Sequence, residues 1–159
     1  MSEDGRDSTD NPGVIAPPPL IYAGALVAGL LANRRYHLPF LPRGLARKLG
    51  WPMVVCGLAI GLLGSREMRR AETNLDPRKP ATTIVTGGPF RYTRNPLYLS
   101  MTLLYGGISA LANALPPILL LPVVLHLMRR GVIEREESYL ERKFGDVYLE
   151  YKVKAPRWI

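Results

Sequence analysis

Cysteine and histidine are nearly absent, and that removes two common ways of holding a small chain together. The single cysteine, Cys56, lies in the middle of an apolar run. Neither a disulfide framework nor a CxxC metal site can form, and the residue reads as a small buried hydrophobe. The two histidines, His37 and His126, are far apart and in no metal-ligand spacing, so no metal is expected. A secretory signal is also missing. The first sixteen residues, MSEDGRDSTDNPGVIA, are polar, acidic and broken by Pro and Gly, without a basic n-region or a small-residue cleavage site. They are expected to form a disordered acidic leader over residues 1–16. Finally, there is no Lys/Arg stripe with interleaved aromatics. The formal charge of +8 would suit a nucleic acid, but the basic residues flank apolar segments instead. Anionic lipid headgroups are therefore the expected counter-charge, and no nucleic-acid partner is expected.

What is present is apolar sequence, gathered into long uncharged stretches. A mean hydropathy of +0.03 hides this, because the charged residues are crowded into a few blocks. The first apolar segment runs from Pro17 to Asn33, and no charged residue falls between Asp10 and Arg34. The second runs from Leu49 to Ser65, bounded by Lys48 and Arg66. The third stretch is uncharged from Asn95 to Met128. As one straight helix it would be about 51 Å long, against a hydrocarbon core of about 30 Å. It must fold back, and Asn113 with Pro116-Pro117 marks the turn. The expected result is a tight helical hairpin, Pro96 to Leu111 and Pro117 to Val132. The fold class is thus all-α and integral to the membrane. About four transmembrane helices are expected, the last two forming the hairpin, followed by a C-terminal interfacial helical segment. Residues 17–159 form a single domain. The small-residue patterns Gly24-x-x-x-Ala28 and Gly57-x-x-x-Gly61 leave both a homo-oligomer and packing within one bundle open.

Orientation follows from the basic residues. With four spans, sixteen of the 21 Lys and Arg share the face that carries the leader, the segment between the second and third spans, and the C-terminal tail. Both termini are expected to be cytoplasmic, in an inner or plasma membrane.

Two segments on that face carry candidate chemistry. In Asn74 to Tyr98, the turn Gly87-Gly88-Pro89 delivers Phe90, Arg91, Tyr92 and Arg94 to the membrane surface. Asn95 suits a helix N-cap and Pro96 the first helical position. Arg91 and Arg94 beside a helix N-terminus suit a carboxylate or phosphate, or simply anchor the helix at the interface. In Arg130 to Ile159, Leu140, Phe144, Val147 or Tyr148, and Tyr151 recur at helical spacing. Gly145 is expected to end one helix and Asp146 to cap the next. Glu134, Glu136 and Glu137 leave the fourth span close to the basic loop. They suit either a binding site or internal Glu–Arg pairs on a solvated helix.

The pattern GPFRYTRNPLY, an uncharged hairpin, and then REESYLERKFGDVYLEYKVKAPRW resembles the isoprenylcysteine carboxyl methyltransferase and phospholipid N-methyltransferase superfamily. The resemblance covers residues 73–158. It implies methyl transfer from S-adenosylmethionine to a lipophilic, membrane-partitioned acceptor, on a helical scaffold with a cytoplasmic cofactor site. No strand followed by a Gly-rich turn, the mark of soluble nucleotide-binding sheets, is found. The family's RHPxY element falls on Arg94, Asn95, Pro96 and Tyr98. Its paired glutamates fall on Glu136 and Glu137, and its closing aromatic-basic stretch on Tyr148, Tyr151 and Arg157. Asn95 stands where relatives often have His, so a titrating role at that position is in doubt. With Arg91, these are the expected cofactor-binding residues. Arg94, Asn95, Tyr98 and Glu137 are the expected catalytic set. The resemblance implies that Arg94 holds the cofactor carboxylate, that Glu136 or Glu137 takes its ammonium or ribose, and that Tyr98 and Tyr148 face adenine or the sulfonium. Glu137→Ala is expected to abolish turnover without unfolding the chain. Two rivals remain: an NADPH-dependent membrane reductase on a related scaffold, and a non-catalytic membrane module of the same fold.

Overall fold

A computed structural model describes residues 10–158. Six α-helices follow in order: α1 (Pro18–Tyr36), α2 (Arg43–Arg70), α3 (Pro96–Leu111), α4 (Leu115–Met128), α5 (Glu134–Phe144) and α6 (Asp146–Lys154). A 3-10 turn over Gly88–Arg91 precedes α3, and a π-helical turn over Arg129–Ile133 joins α4 to α5. No strand occurs among the described residues.

Two helical runs are long and apolar enough to cross a membrane, α2 and the continuous run Leu115–Phe144. α3 is apolar but shorter, and α1 closes on Arg34 and Arg35. Many apolar side chains of α2 point outward. Leu62 is 71% exposed and Val55 60%, a surface that suits hydrocarbon and not water. Cys56 lies exposed in the same run. The expectation that it is buried is therefore wrong, because a helix apolar on every side does not reveal which face meets protein and which meets lipid.

The inward face of α2 is made of glycines. A Cβ built on Gly57 would sit 3.0 Å from Leu104 and 3.1 Å from the Ser100 carbonyl, and one on Gly61 would sit 2.6 Å from Ser100 Oγ. Their absence lets α2 and α3 approach closely enough for Ser100 Oγ to donate to the Gly57 carbonyl at 2.7 Å. The Gly57-x-x-x-Gly61 pattern thus serves packing within the bundle. Gly24 has nothing within 4 Å of its missing Cβ.

α3 occupies the expected residues, and Asn113 sits in the turn with φ +47°. Pro116 and Pro117 do not stop α3. They lie in the first turn of α4, where a missing N–H is harmless. The link is tight, yet α3 packs chiefly on α2 and α4 chiefly on α1. Between them lies a core of Tyr22, Tyr98, Tyr105, Val124, Met128, Val132 and Ile133. Asn113 also pins the α1–α2 loop, accepting from the backbone of Phe40 and Leu41 at 3.1 and 3.0 Å.

Residues 1–9 of the expected disordered leader lie outside the described residues. Residues 10–16 are packed against the π-helical turn and α5: Ile15 N–H donates to the Gly131 carbonyl at 3.1 Å, and Arg135 Nη1 donates to the Gly13 carbonyl at 2.7 Å. At the other end, Gly145 (φ +51°) separates α5 from α6 as both C-cap and N-cap. Asp146 is the first helical residue and not the cap, because glycine alone supplies the left-handed turn that the junction needs.

Candidate functional site

The site grows from the segment that leads into α3. Asn95 occupies the N-cap position and Pro96 the first turn, but the Asn95 side chain makes no capping bond. Its Nδ2 instead donates to the Arg157 carbonyl at 3.0 Å. That same carbonyl accepts the Thr93 hydroxyl at 3.0 Å, and Arg94 N–H donates to the Pro156 carbonyl at 2.9 Å. The segment Thr93–Asn95 is in this way stitched to the C-terminal tail. Thr93, 2% exposed, is a structural member of the site that the sequence pattern does not single out.

The tail brings Arg157 onto α5. Arg157 Nε and Nη2 donate to the two carboxylate oxygens of Glu137 at 3.0 and 2.6 Å, the paired geometry guanidinium and carboxylate favour. Arg94 Nη1 reaches Glu137 Oε1 at 3.3 Å, with both side chains only 9% exposed. It also donates to the Tyr148 hydroxyl at 3.3 Å. Burial, with the Glu137 carboxylate beside it, pushes that hydroxyl up to about 12, so it stays protonated at neutral pH. The hydrogen bonds to Glu137 raise the Arg157 guanidinium above its ordinary value. Glu137 is thus committed to two cations. Glu136, one position earlier, forms no ion pair among the described residues, and accepts the Tyr98 hydroxyl at 2.7 Å.

One atom in this network is unsatisfied. Arg94 Nε is buried and has no hydrogen-bond partner among the described residues. A buried donor left unpaired costs about 1–3 kcal/mol, which a ligand acceptor would recover.

Arg94, Asn95 and Glu136 form a wall shared by two hollows. The smaller, about 90 Å³, is polar and aromatic, and Glu137, Tyr139, Tyr148 and Tyr151 also line it. The larger, about 330 Å³, is lined by Pro17–Pro19, Leu97, Tyr98 and Met101, a size ordinary for small-molecule pockets. The loop around Asp76 and Pro77 borders both. Tyr151 donates to the Phe90 carbonyl at 2.7 Å and packs with Phe90, Tyr148 and Ala155.

Of the expected site residues, Arg94, Asn95, Glu136, Glu137, Tyr148 and Tyr151 line the polar hollow, and Pro96 and Tyr98 the apolar one. Arg157 acts from behind, through Glu137. Arg91 is exposed and lines neither. Tyr139 lines the polar hollow without having been marked by the helical spacing, which selects its neighbour Leu140.

Known proteins add a family. A family model described as phospholipid methyltransferase matches residues 45–147, a span holding Arg94 to Tyr98 and the glutamate pair but ending before Tyr148. An uncharacterized protein of Haemophilus influenzae is 63% identical over 27 residues, which is 17% of this chain and 43% of that protein. The chain thus spans less than half the length of the curated relative it matches. No solved structure matches.

Proposed function

The chain belongs to the phospholipid methyltransferase family, and from that premise we propose that it moves a methyl group from S-adenosylmethionine to a lipophilic acceptor held in the bilayer. The observation that carries the proposal is the convergence of Arg94 and Glu136 on one wall between a polar hollow and an apolar one, with Glu137 lining the polar side. The residues present fit the cofactor. Arg94 has a buried donor without a partner among the described residues, suited to a carboxylate. Glu136 has no counter-ion among the described residues, which suits an ammonium or ribose hydroxyls.

When bound, S-adenosylmethionine supplies an electrophilic methyl group on a sulfonium cation. The chain's own residues bind and align. Arg94 holds an anionic group, its direction fixed by Glu137 and Tyr148. Arg157 neutralises the rest of Glu137, so that the carboxylate can stay buried. Tyr148 and Tyr151 present aromatic faces, which attract a cation and exclude water. Pro17–Pro19, Leu97 and Met101 give the acceptor's hydrocarbon a dry wall. Methyl transfer is an in-line displacement, so alignment accounts for most of what the protein must do. Where the acceptor carries a proton, Glu136, which lines both hollows, is the carboxylate placed to take it.

In the membrane arrangement that fits, α1, α2, α3 and α4 cross the bilayer, with both termini and the polar hollow on the cytoplasmic side, as the distribution of Lys and Arg favours. Membranes containing the protein, given methyl-labelled S-adenosylmethionine, are expected to yield label in the organic-solvent extract, and membranes with Arg94→Gln are expected to yield none. Equal label from both would count against the site.

A further inference from the structure

The polar hollow is closed on two sides by chain that is not part of the helical bundle. One cover is the leader: Pro12 lines the hollow, and residues 13–15 run along α5 and the π-helical turn. The other is the loop of residues 72–86, whose Asp76, Lys79 and Ala81 also line it. The two covers lie some sixty residues apart in the sequence, yet they meet at a single oxygen atom.

That atom is the hydroxyl of Tyr139, whose residue is 4% exposed. It accepts the backbone N–H of Ala81 at 3.2 Å and donates to Asp10 Oδ1 at 2.7 Å. Lys143 Nζ donates to the same hydroxyl at 2.9 Å and to both Asp10 oxygens at 2.8 and 2.7 Å. The loop's other hydrogen bonds stay mainly within it, where Asn74 Nδ2 donates to the Pro80 carbonyl and Thr82 Oγ1 to the Glu72 carbonyl, while Ile84 and Val85 pack against the cluster of Phe90, Tyr148 and Tyr151. Among the described residues, the hydrogen bond from residues 74–85 to another element is the one from Ala81 to Tyr139. The leader has further ties, because Ile15 packs where Gly131 lacks a side chain; a Cβ there would stand 2.3 Å from Ile15 Cδ1.

We propose that the Tyr139 hydroxyl is a latch holding the leader and the 72–86 loop closed together over the polar hollow, so that a ligand enters and leaves only when both let go. Tyr139 is a positioning residue in this scheme. As a gate for S-adenosylmethionine the proposal rests on the function argued above, while the latch itself is a statement about the covers alone. Because one hydroxyl ties both covers, losing it loosens both, and while both stay closed the bound ligand is sealed from water during transfer.

The test is hydrogen exchange on the full chain in detergent micelles, with and without S-adenosylmethionine, for the wild type, Tyr139→Phe and Asp10→Asn. Tyr139→Phe keeps the ring and its packing and removes the oxygen. It is expected to speed exchange at Ala81 and at Ile15 together, on the order of tenfold. Asp10→Asn, at a half-buried position, is expected to speed Ile15 and leave Ala81 unchanged. With cofactor, Tyr139→Phe is expected to raise the KM for S-adenosylmethionine several-fold with kcat held within about twofold. If Tyr139→Phe frees Ala81 alone, or neither cover, the latch is overturned even where the wild type binds S-adenosylmethionine. If both covers loosen in concert while the wild type binds no S-adenosylmethionine, the latch stands and the proposed cofactor falls.

Discussion

Glu137→Gln removes one charge from the most enclosed ionic cluster in the described structure, and its cost can be worked from the geometry. The wild-type carboxylate faces Arg94, with both side chains 9% exposed, and Arg157, which is 28% exposed. Breaking a buried pair by removing one partner costs about 3–5 kcal/mol, because the remaining charge is left uncompensated. Gln keeps one acceptor oxygen for Arg157, and solvent can reach Arg157, so the loss falls at the lower end, about 3 kcal/mol. For a chain of this size that lowers the melting midpoint by about 6–12 °C. Arg157→Gln leaves Glu137 neutralised by Arg94 and is expected to cost about 1 kcal/mol. A double-mutant cycle of Glu137→Gln with Arg94→Gln is expected to be non-additive by about 1–3 kcal/mol. The assay is thermal unfolding in micelles followed by intrinsic fluorescence. A Glu137→Gln midpoint indistinguishable from the wild type, with additive effects in the cycle, would refute the reasoning. The same geometry changes what Glu137→Ala tests. Ala leaves Arg94 buried without its carboxylate, so lost turnover in that variant would report lost structure as much as lost chemistry.

Gly61→Val is expected to wedge α2 from α3, since a Cβ there would stand 2.6 Å from Ser100 Oγ, and to destabilise by about 1–3 kcal/mol in the same melt; Gly24→Val, in open space, is expected to leave the midpoint unchanged. Asn95→Ala removes one of the two side-chain bonds to the Arg157 carbonyl, and should weaken S-adenosylmethionine binding by about tenfold in a calorimetric titration. Arg91→Ala, on a residue lining neither hollow, should leave that affinity unchanged. Hydrogen bonds from Lys143 and Tyr139 hold the Asp10 carboxyl below its ordinary value of 3.8. The lowered value means that its contribution is fully present above that value and is lost as pH falls through the folded one. Exchange at Ile15, corrected for the intrinsic rate, should therefore hold level from neutrality down to about pH 4 and rise below it. A rise already present at pH 6 would rule out Asp10 as the tie.

The sequence makes some of this legible and hides the rest for physical reasons. α3 begins and ends where Asn95-Pro96 and the break before Asn113 predict, because those signals are local backbone chemistry. Glu136, Glu137, Arg94 and Tyr148 are marked by family resemblance, and the fold brings all four to the lining of the polar hollow. Three things depend on contacts that no local pattern encodes. The Asn95 side chain binds a carbonyl 62 residues away, so its capping appearance misleads. The leader's Pro, Gly and acidic residues look like disorder, yet Asp10 and Ile15 are held by Lys143, Tyr139 and Gly131. Cys56 faces outward because the closely packed side of α2 is its glycine side, and in an apolar helix hydrophobicity does not mark the buried face. Helical spacing from α5 onward selects Leu140 and Phe144, which pack on the cluster of Phe90, Tyr148 and Tyr151, and passes over Tyr139, whose hydroxyl is placed by Ala81 and Asp10 from distant parts of the chain.

The most direct measurement of the central claim is equilibrium binding of S-adenosylmethionine and of NADPH to the purified full chain in detergent, with Arg94→Gln as the paired variant. The account predicts saturable binding of S-adenosylmethionine by the wild type, at least tenfold weaker in Arg94→Gln, and no binding of NADPH, whose phosphates would meet the Glu136 carboxylate. Binding of NADPH alone, or of neither by protein with a wild-type melt, would contradict it.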